Sequence, residues 1–171
     1  MVRRMFRRGS GAAALILALT LCGCSLDTRA DAAKGVARFL DAVHRGDRKA
    51  FEAAIDRPAL RSDLRDQLAE LARANGLDVE GGASDFALDR RINPEAFKLV
   101  EARTGAALPV APTAAQVAVL MKVRDRSHVC LTAPGSAVCM LSFTREKGGW
   151  KLTGMQAHEM KIELAPPPAR R

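Results

Sequence analysis

The chain has 171 residues, 27 of them Lys or Arg and 19 Asp or Glu, for a formal net charge of +8. Four of the arginines fall between residues 3 and 8, so the 148 residues after Gly23 carry 23 basic against 19 acidic groups, a balance of +4 scattered along the sequence. A nucleic-acid binder needs a basic stripe on a recognisable module, which is lacking here, whereas 148 residues suffice for a single domain with its own core.

Arg3, Arg4, Arg7 and Arg8 open the chain with no acidic residue among them, and Gly11 to Leu21 is an apolar run interrupted only by Thr20. Such a run is too short to span a bilayer and has the layout of a secretory signal peptide. It closes on Leu21-Cys22-Gly23-Cys24, which resembles the lipobox of bacterial lipoproteins. The resemblance implies that residues 1–23 are removed. Cys24 then becomes the first mature residue, with diacylglycerol on its sulfur and an acyl chain on its new amine. Cys22 fits less well, because Leu21 would then occupy the small position before it. An ordinary signal peptide cut nearby is the alternative. One chain gives marginal membrane binding and two or three anchor firmly. Ser25 stands where an Asp would resemble an inner-membrane retention signal, so the expected place is the outer membrane, facing the periplasm.

Residues 24–30 read as a polar tether, 31–160 as one domain and 161–171 as a Pro/Arg-rich disordered tail. From Asp31 apolar residues recur at helical spacing in Val36, Phe39, Leu40 and Val43, up to Gly46. Asp47 can cap a short second helix carrying Phe51, Ala54 and Ile55. Pro58 sits in the first turn of a third, whose stripe of Leu60, Leu64, Leu68 and Leu71 ends at Gly76 and is expected to be core. Residues 78–92 have no clear period. Asn93-Pro94 is a helix start, and the helix is expected to run through Phe97, Leu99 and Val100 to Gly105. Pro109 and Pro112 mark a linker between helices within 31–105 and a sheet within 115–160. Strands are expected over 116–124, 129–133, 137–145 and 150–158. Lys147-Gly148-Gly149 turns the last hairpin. A loop centred on Lys147-Gly148 opposes Phe143 with Leu152 and Arg145 with Trp150; one centred on Gly148-Gly149 is the other option.

With Cys22 removed and Cys24 acylated, Cys130 and Cys139 remain in an oxidising compartment. Pro134-Gly135 is a turn signal between two β-rich runs. Centring the turn there pairs Thr132 with Ala137, Leu131 with Val138 and Cys130 with Cys139. A two-residue or a four-residue loop leaves that register, and Pro-Gly suits the longer one. A cross-strand disulfide of roughly 2–3 kcal/mol is expected. The alternative, a redox-active pair, lacks C-x-x-C spacing and a helix N-terminus to lower a thiol pKa.

Two stretches carry a further likeness, Phe39-Leu40-Asp41-Ala42-Val43-His44-Arg45-Gly46-Asp47 and Ile55 through Leu68, with Gly149-Trp150-Lys151-Leu152 behind them. Over roughly residues 35–160 the chain resembles a domain-of-unknown-function family of short, membrane-anchored Gram-negative envelope proteins. The resemblance brings no catalytic or binding residues with it. The order of helices then hairpins is similar, more weakly, to cystatin-like and nuclear-transport-factor-like folds. The expected class is therefore α+β, with N-terminal helices packed on a curved antiparallel sheet of three to four strands. Folds of this class host both enzymes and binding modules.

No nucleotide, phosphate or zinc motif occurs, no cofactor is expected, and no serine lies in a G-x-S-x-G context. Asp41 and Arg45, one helical turn apart, are expected to pair at the surface, and His44 to lie near a helix end. Asp63, Asp66 and Glu70, interleaved with Arg61, Arg65 and Arg73, are expected to form a solvated charged face. His128, Cys130, Cys139, Met140, Met155, His158 and Met160 gather soft ligands that suit Cu(I). Strand alternation and an oxidised cysteine pair argue against that site. Two functions follow as expectations: a lipid-anchored, non-catalytic module presenting a groove or sheet face to another envelope component, or an enzyme or small-ligand binder with a pocket between helices and sheet. The second needs a converging polar cluster, for example His128 or His158 with an acidic partner.

Overall fold

The computed structural model of the chain describes residues 12–77, 82–156 and 161–164, with side chains from residue 27 onward. The reading of residues 1–23 as a signal peptide and of the Cys24 sulfur as acylated lies outside the described side chains. His158, Met160 and the tail beyond Leu164 lie outside the described residues.

Helix α1 (Ala12–Arg45) runs through residues 24–30, the stretch read as a tether, and into the domain. Its buried face carries Ala32, Ala33, Val36, Phe39, Leu40 and Val43. Gly46, at φ 63°, turns the chain into α2 (Arg48–Ala53), whose cap is the Asp47 carboxylate accepting from the Ala50 N–H at 3.0 Å. Asp56 caps α3 (Arg57–Ala74) in the same way, with Pro58 in its first turn. Gly76, at φ 67°, ends α3. That conformation is one that glycine adopts without Cβ strain. Leu60 and Leu64 of the leucine stripe are buried and Leu68 packs against the core, but Leu71 is 46% exposed, so the stripe enters the core over its first turns only. A short α4 (Asp85–Asp89), capped by Ser84, lies in the stretch without clear period.

Two expected elements change type. Asn93-Pro94 starts a single 3-10 turn, Pro94–Ala96, and not a helix to Gly105; the chain then enters strand β1 (Lys98–Glu101). The partner that makes β1 a strand comes from 63 residues later, a tertiary pairing that local propensity cannot anticipate. The span 116–124, expected as a strand, is mostly helix α5 (Ala114–Leu120), and only its end forms strand β2 (Met121–Val123). Thr113 and Gln116 form a reciprocal capping box, with the Thr113 N–H donating to Gln116 Oε1 at 2.8 Å. The cap and three alanines outweigh the β-branched Val117 and Val119.

Strands β3 (His128–Thr132), β4 (Cys139–Glu146) and β5 (Gly149–Met155) follow, and with β2 they form an antiparallel sheet in the order β2-β3-β4-β5. Helices at the N-terminal end and a four-stranded antiparallel sheet make the fold α+β, as expected. Phe143 faces Leu152 and Arg145 faces Trp150, the register of a turn centred on Lys147-Gly148. The β3–β4 register differs from the expected one: Thr132 faces Cys139 and Cys130 faces Ser142. The six-residue connection 133–138 moves the first pair by two positions, and the irregularity between Leu131 and Thr132 adds a third. Residues 161–164, expected as the start of the tail, form β6 (Lys161–Leu164), which pairs in parallel with β1, Leu99 opposite Ile162. Among the described residues no helix is long and apolar enough to cross a membrane.

The core lies between α1 and the sheet. Phe39 stands at its centre with no exposed surface, its ring 5.6 Å from Phe51, 5.6 Å from Phe97 and 5.5 Å from Phe143. The Phe97 and Phe143 contacts are edge-on, the arrangement that opposes ring faces to ring edges. Val129, Leu131, Leu141 and Leu152 fill the sheet side of this layer. The edge of β5 is closed by Ile55, with the Leu152 N–H donating to Ala54 O and the Asp56 N–H to Leu152 O, each at 2.9 Å.

Candidate functional site

Cys130 and Cys139 form a disulfide across β3 and β4, with Cα atoms 5.6 Å apart. The expected bond is present although the two residues are not directly opposite, since they lie on a diagonal within bridging distance. The pair is held in a polar surround: Gln156 donates to the Cys139 carbonyl at 3.0 Å, and Ser142 Oγ lies 3.3 Å from the Cys139 sulfur. The described members of the soft-ligand cluster, Met140, Met155 and His128, do not converge on it. Met155 is buried in the core and Met140 packs against it. His128 turns to Asp125, with Nδ1 2.9 Å from either carboxylate oxygen, on a turn where both side chains are about half exposed. This is a histidine–carboxylate pair of the kind the enzyme reading requires, but it stands on an open turn and not in a pocket. Among the described residues no group of three or more His, Cys, Asp or Glu is placed to hold a metal ion.

The charged face of α3 is more structured than its sequence pattern suggests. Arg57 and Arg61 both reach Asp89 of α4, at 2.9 and 2.8 Å, while Arg65 pairs with Asp85 and Arg57 also with Glu52. Hydrogen bonds from Arg61 and then Arg57 hold the Asp89 carboxyl below its ordinary range. This network clamps α4 to α3. Asp63 is not part of a solvated face, contrary to expectation. Its Oδ2 accepts from the Met155 N–H at 2.9 Å and from Gln67 Nε2 at 2.8 Å, so it secures the end of β5. Burial pushes its carboxyl above the usual carboxylate range, against the opposing pull of those two donors. A β-carbon on Gly154 would lie 3.3 Å from Asp63 Oδ2 and from Ser142 Cβ, tighter than ordinary contact, so the glycine eases the approach of the carboxylate.

One concave surface gathers functional groups from three elements. A cleft of about 310 Å³ lies between α1, α2 and the β4–β5 hairpin. Gly35, Arg38, Asp41 and Arg45 line it from a single face of α1, Ala50, Ala53 and Ala54 from α2 and the residues after it, and Gly148 and Trp150 from the hairpin. Trp150 is fixed there by its indole N–H, which donates to Asp31 at 2.9 Å, and Arg145 reaches the same carboxylate oxygen at 3.4 Å. A β-carbon on Gly35 would fall 2.8 Å from that of Trp150, so the helix and the indole touch through the glycine. Asp41 and Arg45 pair at 2.7 Å, as their spacing predicts. Arg38 uses its Nε on the Lys34 carbonyl of its own helix, at 3.3 Å, and among the described residues no carboxylate pairs with it. His44, near the end of α1, lies 3.2 Å from the Leu108 carbonyl through Nε2. Sequence reasoning did not assemble this cleft, because its walls come from residues 35–54 and 148–150. The one local sign was the pair of glycines in otherwise well-formed helix and hairpin.

Residues 31–108 match the model of a family described as "Protein of unknown function (DUF2939)". The likeness to a domain-of-unknown-function family therefore holds over α1 to β1 and the loop after it. The last hairpin, with Gly149-Trp150-Lys151-Leu152, lies beyond the match. No curated protein and no solved structure matches the chain.

Proposed function

Starting from a chain whose residues 31–108 carry the model of this uncharacterised family, we propose that the protein is a lipid-anchored envelope protein held at the membrane through Cys24 and facing the periplasm, with the outer membrane as its place. Its α+β domain serves there as a non-catalytic binding or accessory module for another envelope component. The observation that supports this reading is the filled interface between α1 and the sheet. Where an enzyme of a similar fold would keep a chamber, four phenylalanine rings and the surrounding aliphatic side chains occupy the space. The polar groups that could do chemistry lie outside it: His128 with Asp125 on a turn, and Asp63 between α3 and β5. The Cys130–Cys139 disulfide is in keeping with an oxidising compartment.

The test of the anchor is intact-mass analysis and membrane fractionation of the full chain and of Cys24→Ala. The unmodified sequence is expected to lose residues 1–23, gain two or three acyl chains and sediment with membranes, and Cys24→Ala to lose the acyl mass. An unchanged mass and unchanged fractionation in Cys24→Ala would overturn the assignment. Crosslinking in intact cells, with the captured partner then identified, tests the module.

A further inference from the structure

We propose that the cleft between α1, α2 and the β4–β5 hairpin is a binding site for a small oxyanion, a phosphate or carboxylate group on a compact body, with Arg38 as the residue that recognises it. The inference goes beyond the envelope-module reading and does not depend on the anchor.

Four observations carry it. At about 310 Å³ the cleft is at the small end of ligand sites, with room for a small molecule or a headgroup and not for a folded partner. Its space is kept open by residues without bulk, since Gly148 and the α2 alanines stand where longer side chains would fill it. Its charge is net positive: Arg38 and Arg45 line it against the single Asp41, and Lys151 borders it through a hydrogen bond from its ammonium to the Ala53 carbonyl. Finally, the two arginines are not equivalent. Arg45 is neutralised by Asp41, whereas the terminal nitrogens of Arg38 have no carboxylate partner among the described residues. A guanidinium with its fork free recognises an oxyanion through two parallel N–H···O bonds, which an ammonium cannot reproduce. Trp150 supplies the wall, and its indole N–H is already committed to Asp31, so the ring contributes apolar surface.

Trp150 is the sole tryptophan and the chain contains no tyrosine, so intrinsic emission reads the wall of this cleft alone. The full chain, held in micelles of a neutral detergent, is titrated with glycerol 3-phosphate, with acetate and, separately, with phosphatidylglycerol doped into the micelles, using phosphatidylcholine as the control. A saturable emission change with a soluble probe places the ligand in solution. A change confined to phosphatidylglycerol assigns the site to a lipid headgroup. Either supports the proposal if Arg38→Gln raises the dissociation constant at least tenfold while Arg48→Gln, whose side chain pairs with Glu95 away from the cleft, alters it less than twofold. No saturable change with any probe overturns it, and so does equal binding by Arg38→Gln. Circular dichroism confirms that the exposed Arg38 was replaced without loss of fold. An acylated, membrane-bound protein that fails this titration leaves the envelope reading standing and removes only the cleft.

Discussion

Gly35→Ala sets two effects of opposite sign against each other in one substitution. Position 35 lies in α1, away from either end, and replacing a helical glycine by alanine there gains about 1 kcal/mol of helix propensity. The new methyl would lie 2.8 Å from Trp150 Cβ and 3.2 Å from Cγ and Cδ1. The nearest of these atoms is bonded to the backbone of β5, so no flexible tip can swing aside. The strand must shift or the indole must leave Asp31. Overpacking of this kind costs about 1–3 kcal/mol, and losing the indole hydrogen bond adds about 1 kcal/mol. The clash exceeds the propensity gain, and a net loss of about 1–3 kcal/mol is expected, or a fall in Tm of about 2–12 °C for a domain of this size. Urea unfolding followed by Trp150 emission and by far-UV circular dichroism measures it, and a shifted native emission maximum would report the displaced ring directly. A variant more stable than the parent by about 1 kcal/mol, with unchanged emission, would refute the reasoning, because propensity alone would then govern the position.

Replacing Cys130 and Cys139 together by alanine should cost roughly 2–3 kcal/mol by the loop-entropy estimate for a closed loop of about ten residues. Unfolding midpoints test the magnitude, and alkylation of both thiols only after reduction tests the bond itself. Asp63 makes stability depend on pH in a defined direction. Its carboxyl binds a proton more tightly in the folded than in the unfolded chain, so its contribution favours folding below the unfolded value of about 3.9 and is lost as pH rises through the higher folded value. Asp63→Asn keeps an acceptor for the Met155 N–H without the charge. Its stability relative to the parent should therefore climb as pH rises through that window, and a difference that falls instead would show the wrong sign.

The helical half was legible wherever a local rule was sufficient. Asp47 and Pro58 announce the starts of α2 and α3, and the spacing of Val36, Phe39, Leu40 and Val43 gives the buried face of α1. The 130–139 disulfide was legible from the expected compartment and turn chemistry, but its register was not, because neither the length of the connection nor a bulge leaves a mark in composition. Strand β1 was read as helix because its pairing with β6 lies outside any local window. Helix α5 differs for another reason: Thr113 and Gln116 spell a capping box, a local signal that the β-branched valines at 117 and 119 mask. Asp63 was placed on the solvated side of α3 by helical spacing alone, which cannot register that Gly154 lets the strand come close. The cleft was beyond reach for the same reason as β1, since Arg38 and Trp150 are far apart in the chain.

The parallel pairing of β1 with β6 also governs when the molecule can be finished during synthesis. Lys98–Glu101 has its neighbour on one side early, through the Leu108 N–H to Leu99 O bond at 3.0 Å, but its other side waits for Lys161–Leu164. A polypeptide emerging in order from the ribosome therefore cannot seal this layer until residues 161–164 appear. Contacts of such long separation slow folding, so this two-stranded layer is expected to close after the locally connected hairpin of β4 and β5.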